Sequence, residues 1–121
     1  MSQGKRAPRF VLSFVPLVAA DILALEEIDP GAVDAAEGIL DDLAHGRVTG
    51  KPLGARHISG DLTGLARVKF DLADRRPQRF RLLYRRPNDA MLEIIAIGPR
   101  DEHAIYRAAA QRLGPEAEHD A

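Results

Sequence analysis

There is no cysteine in the 121 residues of this chain, which removes disulfide bridges, thiol nucleophiles and thiolate metal sites together. The absence says little about compartment, since many exported proteins also lack cysteine. Long apolar runs are missing too: none reaches the roughly 18–20 residues that a membrane span requires. Lys5, Arg6 and Arg9 precede the apolar run Phe10–Ala20, and Val18-Ala19-Ala20 has the outline of a cleavage site. Pro16 interrupts that run, however, and the apolar pattern continues through Ile22, Leu23, Leu25 and Ile28. The segment therefore reads as part of a soluble fold with no membrane partner. Walker loop, dinucleotide glycine fingerprint, paired-histidine zinc motif and nucleophile elbow are all absent. His45, His57, His103 and His119 share no repeated spacing and read as surface or capping residues, so neither metal nor cofactor is expected. The neighbouring carboxylates Glu26-Glu27 and Asp41-Asp42 fall on helix exteriors, solvated rather than set up for acid–base work.

What is present is an ordinary globular composition, 45% hydrophobic and 29% charged, in a length that suits one domain with one small core. The net charge of −1 hides a strong asymmetry. Residues 1–50 hold four basic and eight acidic side chains, residues 51–100 eleven and five, and residues 101–121 two and five. Local potential attracts an anionic partner, so the middle of the chain is where to look.

Residues 1–9 read as a flexible basic arm, residues 10–114 as the domain and residues 115–121 as a disordered tail. Phe10–Val15 is a strand, and Pro16 opens a helix running to about Glu27. Asp29 is the N-cap and Pro30 the first residue of a second helix, with Val33, Ala36, Leu40 and Leu43 on its apolar face and Gly46 as its stop. Residues 47–63, with Gly50, Pro52, Gly54 and Gly60, form a long connection without periodicity. The period then becomes two: Ala66, Val68, Phe70 and Leu72 alternate with Arg67, Lys69 and Asp71, and Phe80, Leu82 and Tyr84 with Arg79, Arg81 and Arg85. Between them lies the polar loop Ala73–Gln78, and Pro87-Asn88-Asp89 turns the chain again. Met91–Ile97 is apolar on both faces, a central strand. Asp101 caps a last helix that Gly114-Pro115 ends. The class is α+β: an N-terminal strand and a helical hairpin packed on a mostly antiparallel sheet, in the order β-α-α-β-β-β-α.

The chemistry-bearing feature is a set of cations spaced by strand periodicity. Arg67 and Lys69 share a face of one strand, Arg79 and Arg81 a face of the next, and Arg100 follows the third. Like charges on neighbouring strands repel, so the set needs acidic partners or an anionic ligand. Asp71 is the only acid on that register of the first strand.

These residues carry a resemblance. Leu65-Ala66-Arg67-Val68-Lys69-Phe70, Phe80-Arg81-Leu82-Leu83-Tyr84, Ile94-Ile95-Ala96-Ile97-Gly98-Pro99-Arg100, and Tyr106 with Arg112-Leu113 resemble the RelE/ParE toxin superfamily over roughly Phe10–Leu113. The basic-x-Lys strand, the Arg-Leu-x-Tyr strand and the Gly-x-Arg-x5-Tyr ending fit the RelE branch, whose members cut messenger RNA in the ribosomal A site without a metal. The ParE branch shares the scaffold and poisons DNA gyrase; a non-catalytic member that only binds an antitoxin is the third reading. The resemblance implies a cytoplasmic bacterial toxin of a type II toxin–antitoxin system, with a cognate antitoxin, the translating ribosome and its mRNA as partners. It assigns the catalytic set Arg67, Lys69, Arg81, Arg100 and Tyr106 to attack of a ribose 2′-oxygen on the adjacent phosphate. Guanidiniums suit that transition state because they stabilise the extra negative charge without an ion. Lysine is the member that can give up a proton, which makes Lys69 the candidate base. Arg81 would then hold the scissile phosphate, Arg67 and Arg100 the developing charge, and Tyr106 a base or the ribose. Arg79, with Arg75 and Arg76 at the tip of the 71–79 connection, are candidate RNA contacts.

Overall fold

In the computed structural model residues 7–56, 60–73, 75–101 and 104–119 are described. Strand β1 (Val11–Phe14) leads through a turn at Pro16-Leu17 into helix α1 (Val18–Ile28), which is followed at once by α2 (Pro30–Ala44). One residue joins the two helices. Asp29 adopts an extended conformation (φ −164°, ψ 109°), its N–H donates to the Leu25 carbonyl at 3.0 Å to close α1, and its carboxylate accepts from Gly31 N at 3.1 Å to open α2. Pro30 stands at the first helical position, where a missing N–H costs nothing. His45 caps the other end of α2, its Nδ1 3.0 Å from the Asp41 carbonyl oxygen.

The connection over residues 47–63 holds more structure than its composition suggests. Strand β2 (Lys51–Pro52) joins the main sheet, while β3 (Ala55–Arg56) and β4 (Gly60–Asp61) form a separate two-stranded ribbon. Two-residue strands carry no period, so nothing in the sequence marks them. Then come β5 (Leu65–Phe70), β6 (Phe80–Asn88), β7 (Met91–Pro99) and helix α3 (Ala104–His119). The main sheet runs β1-β7-β6-β5-β2, antiparallel except for the parallel pair β1–β7. Helix α3 continues through Gly114 and Pro115 to His119 instead of stopping at Gly114. A proline removes one backbone bond from a helix without obliging the flanking turns to unwind. At the other end Arg9, placed in the flexible arm by sequence, donates its backbone N–H to the Ala44 carbonyl at 2.8 Å.

The sheet is covered on both faces. The hairpin packs Leu25, Ala36 and Leu43 against Val68, Phe70, Phe80, Leu82, Leu92 and Ile94. On the opposite face Ile105, Tyr106 and Ala109 of α3 meet Leu65, Leu83, Ile95 and Ala96, with Leu53 and Leu62 from the connection. Strand β7 is buried from both sides, as its continuous apolar run requires. One ion pair spans the layers: Arg112 of α3 donates to both carboxylate oxygens of Asp21 in α1 at 2.8 and 2.9 Å and to the Ile95 carbonyl at 2.7 Å. Asp21 in turn accepts from Ile97 N at 3.0 Å, so both helices are fastened to β7.

Candidate functional site

Register decides which cations meet. Lys69 is directly opposite Arg81 and Arg67 opposite Leu83; opposed residues of an antiparallel pair share a face, with Cα atoms about 5 Å apart. Leu83 packs under α3, so Arg67, Lys69 and Arg81 all belong to the α3 face. Gly98 pairs with Arg81 across β6 and β7, and period-two alternation carries that face to Arg100, one residue beyond the end of β7. The Arg100 backbone N–H donates to the Arg79 carbonyl at 2.9 Å, which holds this extension of β7 beside β6. From α3, Tyr106 presents its hydroxyl to Arg67 Nη1 at 3.5 Å. The five expected catalytic positions thus fall on one face of the molecule.

Arg81 is the centre of the set. It is buried, 7% exposed, and its Nη1 donates to the carbonyls of Gln78 at 3.0 Å and Phe80 at 2.9 Å. Among the described residues it has no carboxylate partner. Carbonyls fix one nitrogen and leave the charge uncompensated, and a buried charge of that kind is costly without a counter-charge. Lys69 and Arg100 are exposed and Arg67 is half-buried, again without a carboxylate within ion-pair distance among the described residues. Lys69, the candidate base, is exposed on the α3 face beside Arg81.

The acid expected to balance this set is used elsewhere. Strand β5 ends at Phe70, so Asp71 leaves the strand register and its side chain is buried beneath Arg79. Asp71 accepts from Leu72 N at 2.7 Å, from Arg79 N at 2.9 Å, and from Arg79 Nε at 2.8 Å and Nη2 at 2.9 Å. Arg79 Nη2 also donates to Asp29 at 3.0 Å, and its guanidinium lies over the Phe80 ring. The side-chain hydrogen bonds from Arg79 hold the Asp71 carboxyl well below the usual range, against the opposing effect of burial, and lower Asp29 as well.

Arg79 is therefore withdrawn from the cation set into a clamp between the β5–β6 connection and the start of α2. The alternation that pairs it with Arg81 fails because β6 begins only at Phe80. Arg75 is also drawn to the hairpin side, close enough to Asp29 to help lower its pKa, and exposed Arg76 folds its Nη1 onto the Arg75 carbonyl at 3.0 Å. Neither is gathered with Arg81. One cation was missed from sequence: Lys51 of β2 is opposite Arg67 and extends the basic row. Its signal was lost in a two-residue strand.

Among the described residues no three or more His, Asp or Glu side chains cluster as a metal site; His57 and His103 lie outside them, and the side chain of His119 is not described. No described helix is long and apolar enough to cross a membrane. No protein-family model matches the chain, and no curated protein matches it in sequence. Among solved structures it is similar to a mutant of the E. coli toxin RelE in the free state, in which two arginines are replaced by alanine. The TM-score is 0.54 at 17% identity, over 88% of this chain and 98% of that one. The expected fold class is the observed one, and the helical hairpin, sheet and terminal helix described above form a RelE-like fold.

Proposed function

We propose that this chain is the toxin of a type II toxin–antitoxin pair and that it cleaves messenger RNA in the ribosomal A site, without a metal, by attack of a ribose 2′-oxygen on the adjacent phosphate. The observation that carries the reading is Arg81: a buried guanidinium with no carboxylate among the described residues, fixed by two carbonyls and flanked on one face by Arg67, Lys69 and Arg100. Among the described residues such a site has no anion, and a phosphodiester supplies one. The RelE-like fold supports the choice of RNA over other phosphate esters.

In this mechanism Arg81 holds a non-bridging phosphate oxygen. Lys69 takes the 2′-hydroxyl proton as the 2′-oxygen to phosphorus bond forms, the bond to the 5′-oxygen breaks, and that oxygen takes a proton from water as it leaves. The products are a 2′,3′-cyclic phosphate and a free 5′-hydroxyl. Arg67 and Arg100 carry the charge that builds on the phosphorane-like transition state, with Arg100 nearest the leaving oxygen. Groups already fixed in the free protein need no reorganisation at that moment, which is where electrostatic catalysis gains most. Tyr106 sets the angle of Arg67 through their shared hydrogen bond and meets a base or the ribose. An antitoxin that covers the basic face or the free sheet edge silences the enzyme.

The test is primer extension on a message translated in a reconstituted system. The wild type cuts at codon edges, and the Arg81→Ala/Arg100→Ala pair loses cleavage by at least about 100-fold with an unchanged circular dichroism spectrum. Cleavage retained by that folded double variant overturns the assignment. Double-strand DNA breaks with intact messages would make the chain a gyrase poison instead, and neither effect would leave an antitoxin-binding protein.

A further inference from the structure

At the other end of β5 and β6 the structure has a second basic recess. It encloses about 360 Å³ between the loop after α2, strand β2 and the end of β6, and none of the described residues lining it is acidic. Its walls are apolar, from Leu43, Val48, Leu65 and Leu92. At its rim the guanidiniums of Arg9 and Arg86 both lie over the ring of Phe10, at 5.4 and 4.9 Å from its centroid. Two like charges held on one ring repel each other, and the ring offsets only part of that.

Neither charge is well answered. Arg9 has no carboxylate partner among the described residues. Arg86 reaches the carbonyls of Asn88 and Asp89 at 3.3 Å each and stands 3.6 Å from the carboxylate of Asp89, which is fully exposed. Arg85, which also lines the recess, is different: Glu93 accepts from it at 2.6 Å. Arg9 is held in place as well. Gly46 has φ +73°, and a Cβ there would come within 3.1 Å of Arg9 Cδ, so the loop lies directly against the arginine stem.

We propose that this recess binds one nucleotide unit, with the phosphate at the guanidiniums of Arg9 and Arg86 and the base against the Val48 side of the recess. Paired guanidiniums above an apolar slot match a phosphate joined to a flat, weakly polar ring. The recess opens at the Leu65–Arg85 pair, four residues along the strands from the Lys69–Arg81 pair, about 13 Å away. It is therefore a separate site, and its assignment to a nucleotide does not require the cleavage chemistry. The choice of an RNA strand as the source of that nucleotide does rest on the nuclease reading.

The probes are AMP and a short 2′-O-methyl oligoribonucleotide, which cannot be cut, each titrated into 15N-labelled wild-type protein. Shifts at Thr49, Gly50 and Arg86 are expected. Shifts confined to Lys69, Arg81 and Tyr106 overturn the proposal. The Arg9→Ala/Arg86→Ala variant should bind the oligonucleotide about tenfold more weakly, with a salt slope reduced by about 0.7, the loss of one phosphate contact. Unchanged binding by that variant, or by Arg86→Gln should the double variant misfold, also overturns it. Oligonucleotide binding well above that of AMP assigns the site to an RNA strand, and equal affinity to a free nucleotide. Arg81→Ala should leave the Thr49 and Gly50 shifts in place. Loss of cleavage and loss of this site are thus read separately.

Discussion

Asp71 and Arg81 lie ten positions apart and have opposite fates. Asp71 is buried and matched by Arg79; Arg81 is buried and matched by nothing acidic among the described residues. The first is a structural ion pair whose loss should be felt in stability, the second a charge whose loss should be felt in activity. Asp71→Asn leaves Arg79 half-paired and should lower unfolding stability by about 3 kcal/mol, measured by urea denaturation at pH 7. The pH dependence follows in sign. Because folding lowers the pKa of Asp71 and Asp29 through hydrogen bonds from Arg79, their contribution is complete above the unfolded value of about 3.9. It falls away as pH drops below that towards the folded values. Stability of the wild type should therefore decline below about pH 4, and that of Asp71→Asn should decline less steeply. In the opposite case Arg81→Ala should fold as well as the wild type or better, since an uncompensated charge is removed, while RNA cleavage is lost.

At the level of elements, two contacts set where the functional side chains stand. Gly50 carries β2 against β5: its N–H donates to the Tyr84 hydroxyl at 2.8 Å, and a Cβ there would come within 2.8 Å of the Tyr84 ring and 3.0 Å of the Arg67 carbonyl. Gly50→Ala should push β2 off the sheet, costing about 1–3 kcal/mol and raising amide exchange at Leu53, whose N–H donates to the Leu65 carbonyl. The Asp21–Arg112 pair does the same for α3. Arg112→Lys gives up the two-pronged contact and should loosen α3, so that amide exchange rises in α3 before it rises in β6 or β7. The sequence made some of this legible. Asp29-Pro30 is a strong helix start, and the period-two runs of β5 and β6 place Arg67, Lys69 and Arg81 on one face. The exchange of Arg79 for Lys51 was not legible. It depends on β5 stopping one residue before Asp71, on β6 starting one residue after Arg79 and on a two-residue strand, and periodicity is silent about where a strand starts or stops.

The whole molecule divides its charge between layers. The hairpin keeps acidic Asp34, Glu37, Asp41 and Asp42 on its own helix, while the end of the sheet beyond α3 gathers Arg67, Lys69, Arg81 and Arg100. A net charge near zero therefore does not describe the basic end of the sheet, and on the proposed function binding of RNA should weaken steeply with salt despite a sequence pI of about 6.4. Fluorescence anisotropy at increasing potassium chloride measures it, and a flat profile would count against a basic docking face.

The strand pairing also orders events in time. Val11 is matched to Met91 and Phe14 to Ile94 in the parallel pair at the sheet edge, so β1 has no neighbour in the sheet until β7 has been made. Arg81 pairs first with β5 and gains its second flanking strand with β7. Until β7 is in place, β1 stays unpaired and the cation set lacks Arg100.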